Sequence, residues 1–343
     1  MTIKEEDIER LRQLLEEPAR KIVIVAHVNP DGDAVGSSIA WRDALQGMGH
    51  RVTCVVPNKY PYFLDWMSDI GSVVIFKNDE AGIARRAVEE ADLIFCLDFN
   101  AISRLEGLSE LIESNTTARR VLIDHHLAPG PGFDLMFSHP DSSSTSFLVY
   151  SIIERMLGVK AITPRMAESM YVGMMTDTGN FSFSFLTPAL YRAVAVLAET
   201  GIDIPAIHNN VYNAFTEGRA RLFGYAINRK MEVMHDGTVA YMSLLESEMR
   251  RFQFQQGDSE GFVNYALTIK KMKMSAIFIA HRKFIRVSLR SRGDVDMNLF
   301  ARKYFNGGGH RNAAGGKSFV SMEETIAHFR RSVEEFAAEG HLG

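Results

Sequence analysis

The sequence of 343 residues is long enough for one large domain or two ordinary ones, and its 46% hydrophobic and 23% charged residues are typical of a soluble globular protein. No apolar run approaches the ~18 residues of a membrane span, and the acidic, helix-patterned N-terminus lacks the apolar core of a signal peptide. The net charge of −4 is unevenly distributed, since residues 1–230 carry 22 Lys and Arg against 29 Asp and Glu, whereas residues 231–343 carry 16 against 13.

Short apolar runs alternate with helical patterns through the first half of the chain. The predicted strands cover residues 22–26, 52–56, 73–76, 93–98 and 121–124. Segments such as 34–48 and 82–90 are predicted helices, and the alternation predicts an α/β domain with a mostly parallel sheet. Cys54 and Cys96 lie inside two of the strands, so we expect buried thiols of a cytoplasmic protein.

Polar residues follow these strands. The first strand runs into HVNPDGDAVGS, in which His27, Asp31 and Asp33 have H-x-x-x-D-x-D spacing. Two later strands end at Asp98 and at the Asp-His-His run 124–126. Because the carboxyl ends of parallel strands share one edge of the sheet, where ligands bind, we expect these side chains to meet there.

Each of these residues, taken alone, has an ordinary explanation. Asp31 or Asp33 could cap a helix or close an Asx turn. His125 and His126 could be one buried and one exposed histidine, and Asp177 could cap a turn. Together these explanations would require several coincidences at one sheet edge, so a functional cluster is favoured.

The second half of the chain changes character. Residues 164–230 have helical patterns and include Asp177 in the stretch YVGMMTDTGNFSF. From residue 231 the pattern restarts with strands, a glycine-rich turn and a final amphipathic helix near 322–338. We therefore predict a first domain over 1–188, a helical linker over 189–230, and a smaller α/β domain with a mixed sheet over 231–343.

The charges suggest two kinds of ligand. Several carboxylates at one edge would repel one another without cations, and mixed Asp and His ligation suits Mn²⁺, Fe²⁺, Co²⁺ or Zn²⁺ better than Ca²⁺. The absence of cysteine ligands argues against a structural zinc site. In the second half, residues 270–317 hold twelve basic and two acidic residues, which suits a phosphate-bearing partner.

Six motifs in order resemble one family. HVNPDGDAVGS, the isolated Asp98, DHH at 124–126 and TDTGNF around Asp177 resemble the four motifs of the DHH phosphoesterase superfamily. VSLRS at 287–291 and GGGHRNAAG at 307–315 resemble the DHH-associated C-terminal domain. The layout is most similar to bacterial oligoribonucleases that also dephosphorylate 3′-phosphoadenosine 5′-phosphate, the nano-RNase group.

The resemblance implies roles for individual residues of the first domain. His27, Asp31 and Asp98 would hold one Mn²⁺, and a second would be held by the set Asp33, Asp98, His125 and Asp177. Asp98 would bridge the two ions and so take part in catalysis. His126 would be the other catalytic residue, contacting the scissile phosphate or the leaving oxygen, and Asp124 would orient its neighbours.

The resemblance also implies a substrate-binding role for the second domain. Arg290 and His310 would hold a substrate phosphate, and Ser291 lies in the same motif as Arg290. The backbone of Gly307, Gly308 and Gly309 would approach the substrate closely. One departure is visible, because Asn306 stands where the family often has another glycine.

These observations predict a two-metal phosphoesterase with two bound divalent ions, most suitably Mn²⁺. The resemblance implies that its partners are short RNA oligonucleotides and small nucleotides such as 3′-phosphoadenosine 5′-phosphate. We expect no membrane partner, and the sequence is compatible with a homodimer. The prediction covers all of these substrates without an order of preference and attack from either end of the oligonucleotide.

Four alternative functions compete with this prediction. An inorganic pyrophosphatase shares the first-domain motifs but has another type of C-terminal domain, and a processive single-strand exonuclease is longer. A cyclic or linear dinucleotide phosphodiesterase is harder to exclude, because such enzymes resemble this layout. A catalytically silent nucleotide-binding regulator would be expected to lack at least one ligand, and every position is filled.

Overall fold

The computed structural model describes residues 1–17, 19–182 and 185–342. The chain divides into two compact units, Met1–Ala214 and Phe215–Gly343, each built on a six-stranded sheet. Among the described residues, no helix has the length and apolar character needed to cross a membrane.

The sheet of the first unit is entirely parallel. Its strands are β1 (Lys21–Ala26), β2 (Arg51–Val56), β3 (Val74–Ile75), β4 (Leu93–Leu97), β5 (Arg119–Asp124) and β6 (Leu135–Ser138). The order is β3-β2-β1-β4-β5-β6. Strand β4, LIFCL, is buried along its whole length, as expected for a central parallel strand covered on both faces.

Helices cover both faces of this sheet. They are α1 (Glu5–Leu15), α2 (Gly32–Gly47), α3 (Ile83–Glu89), α4 (Gly107–Ser114), α5 (Thr145–Leu157), α6 (Pro164–Asp177), α7 (Pro188–Glu199) and α8 (Ile204–His208). Helices α2, α5 and α6 belong to a large core that includes Trp41 and Phe95, whereas α3 and α4 pack with Val23 and Cys96 on the other face.

The sheet of the second unit is mixed. Its strands are β7 (Glu232–Met234), β8 (Val239–Leu244), β9 (Met274–His281), β10 (Phe284–Ser291), β11 (Gly308–Gly309) and β12 (Ala313–Ser318). The order is β11-β12-β10-β9-β8-β7, and the pairs are antiparallel except for β8 with β9.

The two faces of the second sheet are covered differently. The helices of this unit are α9 (Glu217–Tyr225), α10 (Glu246–Arg251), α11 (Phe262–Tyr265), α12 (Met297–Phe305) and α13 (Met322–Ala338). Helices α12 and α13 share a core with Val287 of β10 and Phe278 of β9. On the opposite face, α9, α10 and α11 share a core with Ile277 of β9 and Met242 of β8.

The predicted fold class is confirmed, with a parallel sheet first and a mixed sheet second. The described part of the predicted linker, 189–230, is largely helical, but the domain limits stay a prediction. Sequence patterns missed β6 and placed β12 inside a glycine-rich turn. The β12 sequence AAGGKS has weak strand preference, and the strand exists because it pairs with β10.

Candidate metal centre

Three neighbouring strands deliver most of the candidate ligands. His27 directly follows β1, Asp98 directly follows β4, and Asp124 ends β5. These strands are adjacent in the order β1-β4-β5 and parallel, so their carboxyl ends meet at one edge. The structure thus brings together the predicted strand-end residues, as topology requires.

Two helices supply the remaining carboxylates. Asp31 caps α2, its Oδ1 accepting from the N–H groups of Asp33 and Ala34, both at 3.0 Å. The capping explanation for Asp31 therefore holds alongside any metal role. Asp33 is buried in the first turn of α2, and Asp177 is the last residue of α6.

Asp98 lies at the centre of the cluster and is 2% exposed. Its Oδ2 lies 3.3 Å from His27 Nε2, and its Oδ1 lies 3.5 Å from His125 Nε2. His125 Nε2 is also 3.3 Å from Asp177 Oδ2 and 3.9 Å from Asp33 Oδ2. The cluster thus forms one continuous set of carboxylate and imidazole groups.

The backbone holds two of the imidazoles in one orientation. The Nδ1 atoms of His27 and His125 lie 2.8 Å and 3.3 Å from the carbonyl oxygens of Val28 and Ser142. Each ring therefore presents Nε2 to the carboxylates. Metal-binding histidines are commonly held in this way, since the bond at one nitrogen fixes the tautomer that coordinates through the other.

Among the described residues of the first unit, potential ligand atoms within 4.8 Å of one another form three groups: His27 with Asp31 and Asp98, Asp33 with His125 and Asp177, and Asp98 with Asp124 and His126. The first group is the set predicted for one metal site. The second contains three of the four residues predicted for the other site and lacks Asp98, whose Oδ1 lies 3.5 Å from His125 Nε2. Four carboxylates with two imidazoles are a donor set suited to two divalent transition-metal ions.

Burial and mutual repulsion shift the pKa values of the carboxylates. Burial and the charges of Asp98 and Asp177 raise the pKa of Asp33 well above its usual range. Burial raises the pKa of Asp177 to about 6, although the charge of His125 opposes it. Burial alone would also raise the pKa of Asp98, but hydrogen bonds from His125 and His27 outweigh it and lower that pKa.

The pKa values of the histidines His27 and His125 are also raised. Burial lowers the pKa of His27, but the hydrogen bond to Asp98 and the charges of Asp31 and Asp98 raise it to about 9. For His125, the charge of Asp177 and the hydrogen bond to Asp98 outweigh burial and raise the pKa. The cluster therefore attracts positive charge strongly, which bound cations would supply in place of protons.

Asp124 and His126 form a separate pair at the same edge. Asp124 is fully buried, and its Oδ1 lies 2.7 Å from His126 Nδ1. Within the described residues, Asp124 Oδ2 has no hydrogen-bond partner. Asp124 thus contacts His126, and both the orienting role of Asp124 and the catalytic role of His126 stay predictions.

Sequence reasoning missed the residues that hold Asp33 and Asp98. At the N-terminus of α5, the N–H groups of Thr145 and Ser146 donate to Asp33 Oδ2 and Oδ1 at 2.7 Å and 2.8 Å. Thr145 Oγ1 donates to Asp98 Oδ1 at 3.0 Å. The signal was the run SSSTS at 142–146, in which small hydroxyl residues precede an apolar helix.

The predicted substrate-binding residues all lie in the second unit. Arg290 is on β10 and Gly308–Gly309 form β11, which pairs with β12. The backbone N–H of His310 donates to Ala313 O at 2.8 Å, closing the turn between these strands. Ser291 is buried and its hydroxyl donates to Val295 O, so in this structure it holds the end of β10.

The departure at Asn306 has a structural explanation. Asn306 caps α12 with φ 47° and ψ 40°, the left-handed conformation. Asparagine tolerates this conformation better than most residues other than glycine. Asn306 therefore adopts the backbone conformation that a glycine at this position would adopt, and the chain can continue into the glycine-rich turn.

Comparison with known proteins identifies the family. The sequence matches the family model described as DHH family, N-terminal domain over residues 21–174, and the DHHA1 domain over residues 236–339. The chain belongs to the DHH family. The predicted resemblance is thereby confirmed, and with it the prediction of a phosphoesterase, a hydrolase.

Individual relatives cover nearly the whole chain. An exopolyphosphatase-related protein from Bacteroides fragilis is 39% identical, with a TM-score of 0.91 over 98% of this chain and 97% of that one. A bifunctional oligoribonuclease and PAP phosphatase NrnA from Thermus thermophilus is 27% identical over 94% of this chain and 92% of its own. The cyclic-di-AMP phosphodiesterase PdeA of Listeria monocytogenes is 23% identical, and the match covers 48% of its length.

Proposed function

We propose that this enzyme hydrolyses short oligoribonucleotides to mononucleotides and 3′-phosphoadenosine 5′-phosphate to AMP, with two divalent metal ions, most suitably Mn²⁺. The observation that carries the proposal is the pair of ligand groups on either side of Asp98, in a DHH-family chain with a DHHA1 domain. Relatives named for these activities match over most of both chains.

His27, Asp31 and Asp98 would hold one ion, and the second would be held by the set Asp33, Asp98, His125 and Asp177. Bound there, two divalent ions supply a hydroxide at neutral pH and neutralise charge on the phosphoryl oxygens. Asp98 contributes a negative charge to both positions. The N-terminus of α5 keeps Asp33 and Asp98 in place during turnover.

His126 is suited to proton transfer or to contact with the substrate. Its Nδ1 is bonded to Asp124 Oδ1, and in this proposal Nε2 is the nitrogen that contacts a phosphate or leaving oxygen. The bond to Asp124 fixes the orientation of the imidazole ring. Asp124 would thus act through His126.

The second unit would hold a part of the substrate that does not react. Arg290 and His310 would bind a phosphate, and the backbone at Gly308 would lie against the nucleotide. The charge of this region supports the role, since residues 270–317 are strongly basic. We place the enzyme in the cytoplasm, consistent with the two buried free cysteines.

The remaining alternatives are less well supported. The DHHA1 match at 236–339 disfavours a pyrophosphatase, which has another type of C-terminal domain. A dinucleotide phosphodiesterase resembling PdeA would share only about half of that protein's length. A silent regulator would not need to keep every ligand position filled.

A substrate panel tests the proposal. Purified protein with Mn²⁺ is given a trinucleotide, 3′-phosphoadenosine 5′-phosphate, linear and cyclic di-AMP, and pyrophosphate, each at the same concentration. We expect the trinucleotide and 3′-phosphoadenosine 5′-phosphate to be hydrolysed fastest. Preferential cleavage of cyclic di-AMP or pyrophosphate would contradict the proposal, and no Mn²⁺-dependent hydrolysis would support a regulator.

A further inference from the structure

One part of the second sheet is open where the rest is covered. Along β10 the burial alternates, with Ile285, Val287 and Leu289 buried in the core shared with α12 and α13. The alternate residues point to the other face. There, α9, α10 and α11 pack over β8 and β9, and α11 also contacts β10. The outward side chains of β10 and Lys317 of β12 stay partly or fully exposed.

Cations line this open part, which we call the β10–β12 face. It consists of Phe284, Arg286, Ser288 and Arg290 of β10 and Gly315 and Lys317 of β12. Arg286 lies directly opposite Lys317 in the antiparallel register. Two cations therefore stand side by side on this face of the sheet.

Arg286 is not neutralised by an acid. Among the residues that the structure describes, no carboxylate forms an ion pair with it; its Nη2 donates to Ser259 Oγ at 2.7 Å. Its Nε is buried and has no partner within that same part of the chain. That buried atom is out of reach of a ligand, but Arg286 as a whole is partly exposed, so the terminal Nη atoms are the ones offered to an anion.

Aromatic rings adjoin these cations. Phe284 stacks on His281, with ring centroids 5.0 Å apart and planes 19° apart, and Lys317 Nζ is 4.9 Å from the Phe284 centroid. Phe319, two residues after Lys317, is 73% exposed, an unusually large fraction for a phenylalanine. Burial, and then the charge of Arg286, lower the pKa of His281, although the charge of Glu246 opposes them.

We propose that the β10–β12 face is a binding track for the distal nucleotides of a single-stranded oligonucleotide, with Arg286 and Lys317 on its phosphates and Phe284 and Phe319 as stacking surfaces. Interleaved cations and aromatic rings are what non-specific single-strand binding requires. The inference deepens the proposed function and rests on it for the catalytic end of the track.

The spacing of the two arginines along β10 determines how long an oligonucleotide must be to contact both. Arg286 and Arg290 are four residues apart on one face, hence ~14 Å along the strand. A stacked oligonucleotide rises ~3.4 Å per nucleotide, so ~14 Å corresponds to about four stacked nucleotides. An extended oligonucleotide covers the same distance with fewer nucleotides. A phosphate held at Arg290 by a dinucleotide would leave Arg286 uncontacted, whereas a pentanucleotide would reach it.

Binding measured without turnover tests the track. A 5′-fluorescein pentaadenylate is titrated with the full chain in EDTA, and fluorescence anisotropy gives the dissociation constant. We expect the double variant Arg286→Gln, Lys317→Gln to bind about tenfold more weakly, with a salt slope smaller by about 1.4, since each single-strand phosphate contact contributes ~0.7. Phe319→Ala should weaken binding about fivefold or more through lost stacking.

Arg331→Gln is the matched control, because Arg331 is an exposed arginine of α13, on the helical layer of the opposite sheet face. If Arg286→Gln does not fold, Lys317→Gln and Phe319→Ala, at exposed positions, carry the test. Pentanucleotide binding by these variants equal to that of wild type and of Arg331→Gln would overturn the inference.

A kinetic measurement separates the track from the proposed function. With Mn²⁺, the rise in KM caused by Lys317→Gln should be several-fold larger for a pentanucleotide than for a dinucleotide; equal rises would overturn the distal location. If wild type hydrolyses no oligonucleotide yet binds the pentanucleotide through this face, the proposed function fails and the track stands.

Discussion

At the scale of single residues, Asp98 accounts for most of the chemistry of the first unit. It has a left-handed backbone, with φ 65°, directly after a buried strand. His27, His125 and Thr145 surround its carboxylate. Strained backbone at a buried acid is common at functional sites. The surrounding groups fix one rotamer, so both carboxylate oxygens have defined neighbours.

Thr145 should control metal affinity without taking part in the reaction. Thr145→Val keeps the side-chain shape and the N–H bond to Asp33 but removes the hydroxyl that donates to Asp98. We expect Mn²⁺ affinity, measured by the free-ion signal in electron paramagnetic resonance, to fall about 10- to 100-fold, as is typical when an outer partner of a ligand is lost. Thr145→Ser restores the hydroxyl and should restore most of the affinity; equal losses in both variants would show that only packing matters.

The glycine run offers a second residue-scale test. A Cβ at Gly307 would lie 1.8 Å from Gly315 O, so packing alone requires glycine there. A Cβ at Gly308 would meet nothing closer than Asn298 Oδ1 at 3.5 Å. The packing explanation thus covers Gly307 and not Gly308, which fits a close approach of substrate to the backbone.

Gly308→Ala and Gly307→Ala should therefore behave differently. Gly308→Ala should melt close to wild type but raise the KM for a trinucleotide several-fold, because the added methyl group obstructs the substrate. Gly307→Ala should melt at a clearly lower temperature, because its methyl group collides with β12. Thermal unfolding followed by steady-state kinetics gives both values, and an unchanged KM for Gly308→Ala would show that substrate does not touch this backbone.

At the scale of elements, a strand could be predicted from the sequence when its own apolar residues stabilise it, and not when its stability depends on pairing with another strand. Strands β1, β4 and β5 each end in an uninterrupted apolar stretch (IVIVA, LIFCL and VLI), so His27, Asp98 and Asp124, which follow these stretches, could be placed from the sequence. Strand β12 has small residues and depends on pairing with β10, a contact that local pattern does not contain.

The same reasoning explains why the support of the site was missed. The role of Thr145 depends on α5 beginning beside α2 and β4, which is a tertiary arrangement. Gly173 of α6 is similar, since a Cβ there would lie 1.9 Å from Ser146 Oγ and 2.7 Å from Asp33 Oδ1. Neither residue carries a charge that would single it out in the sequence.

The parallel strands also protect both thiols. Burial raises the pKa values of Cys54 in β2 and Cys96 in β4 to about 12 from an ordinary value of 9.0. Native protein at pH 8 should therefore react with iodoacetamide far more slowly than protein unfolded in guanidinium, measured by mass spectrometry. Because the unfolded thiols ionise first, their contribution to stability should be lost as pH rises from about 9 to about 12. Fast alkylation of the native protein would show that the sheet opens.

At the scale of the whole molecule, the proposed function sets a length limit on the substrate. Hydrolysis should therefore be fastest for chains of roughly two to five nucleotides and should fall with length, whereas enzymes of long single strands use extended grooves. A 5′-labelled, unstructured RNA ladder under single-turnover conditions measures this, and a 24-mer (about eight times a trimer) cut as fast as the trimer would favour a processive exonuclease.

The central claim is a two-metal centre built around Asp98, and Asp98→Ala tests it most directly. The measurement is Mn²⁺-dependent hydrolysis of a trinucleotide by wild type and by Asp98→Ala, with circular dichroism as the control for folding. We predict that the variant is folded and has no detectable turnover, because both ions lose a ligand. Its apo form should be less stable than wild type, because His27, His125 and Thr145 lose the carboxylate that they contact. Near-normal Mn²⁺-dependent turnover by folded Asp98→Ala protein would contradict the account.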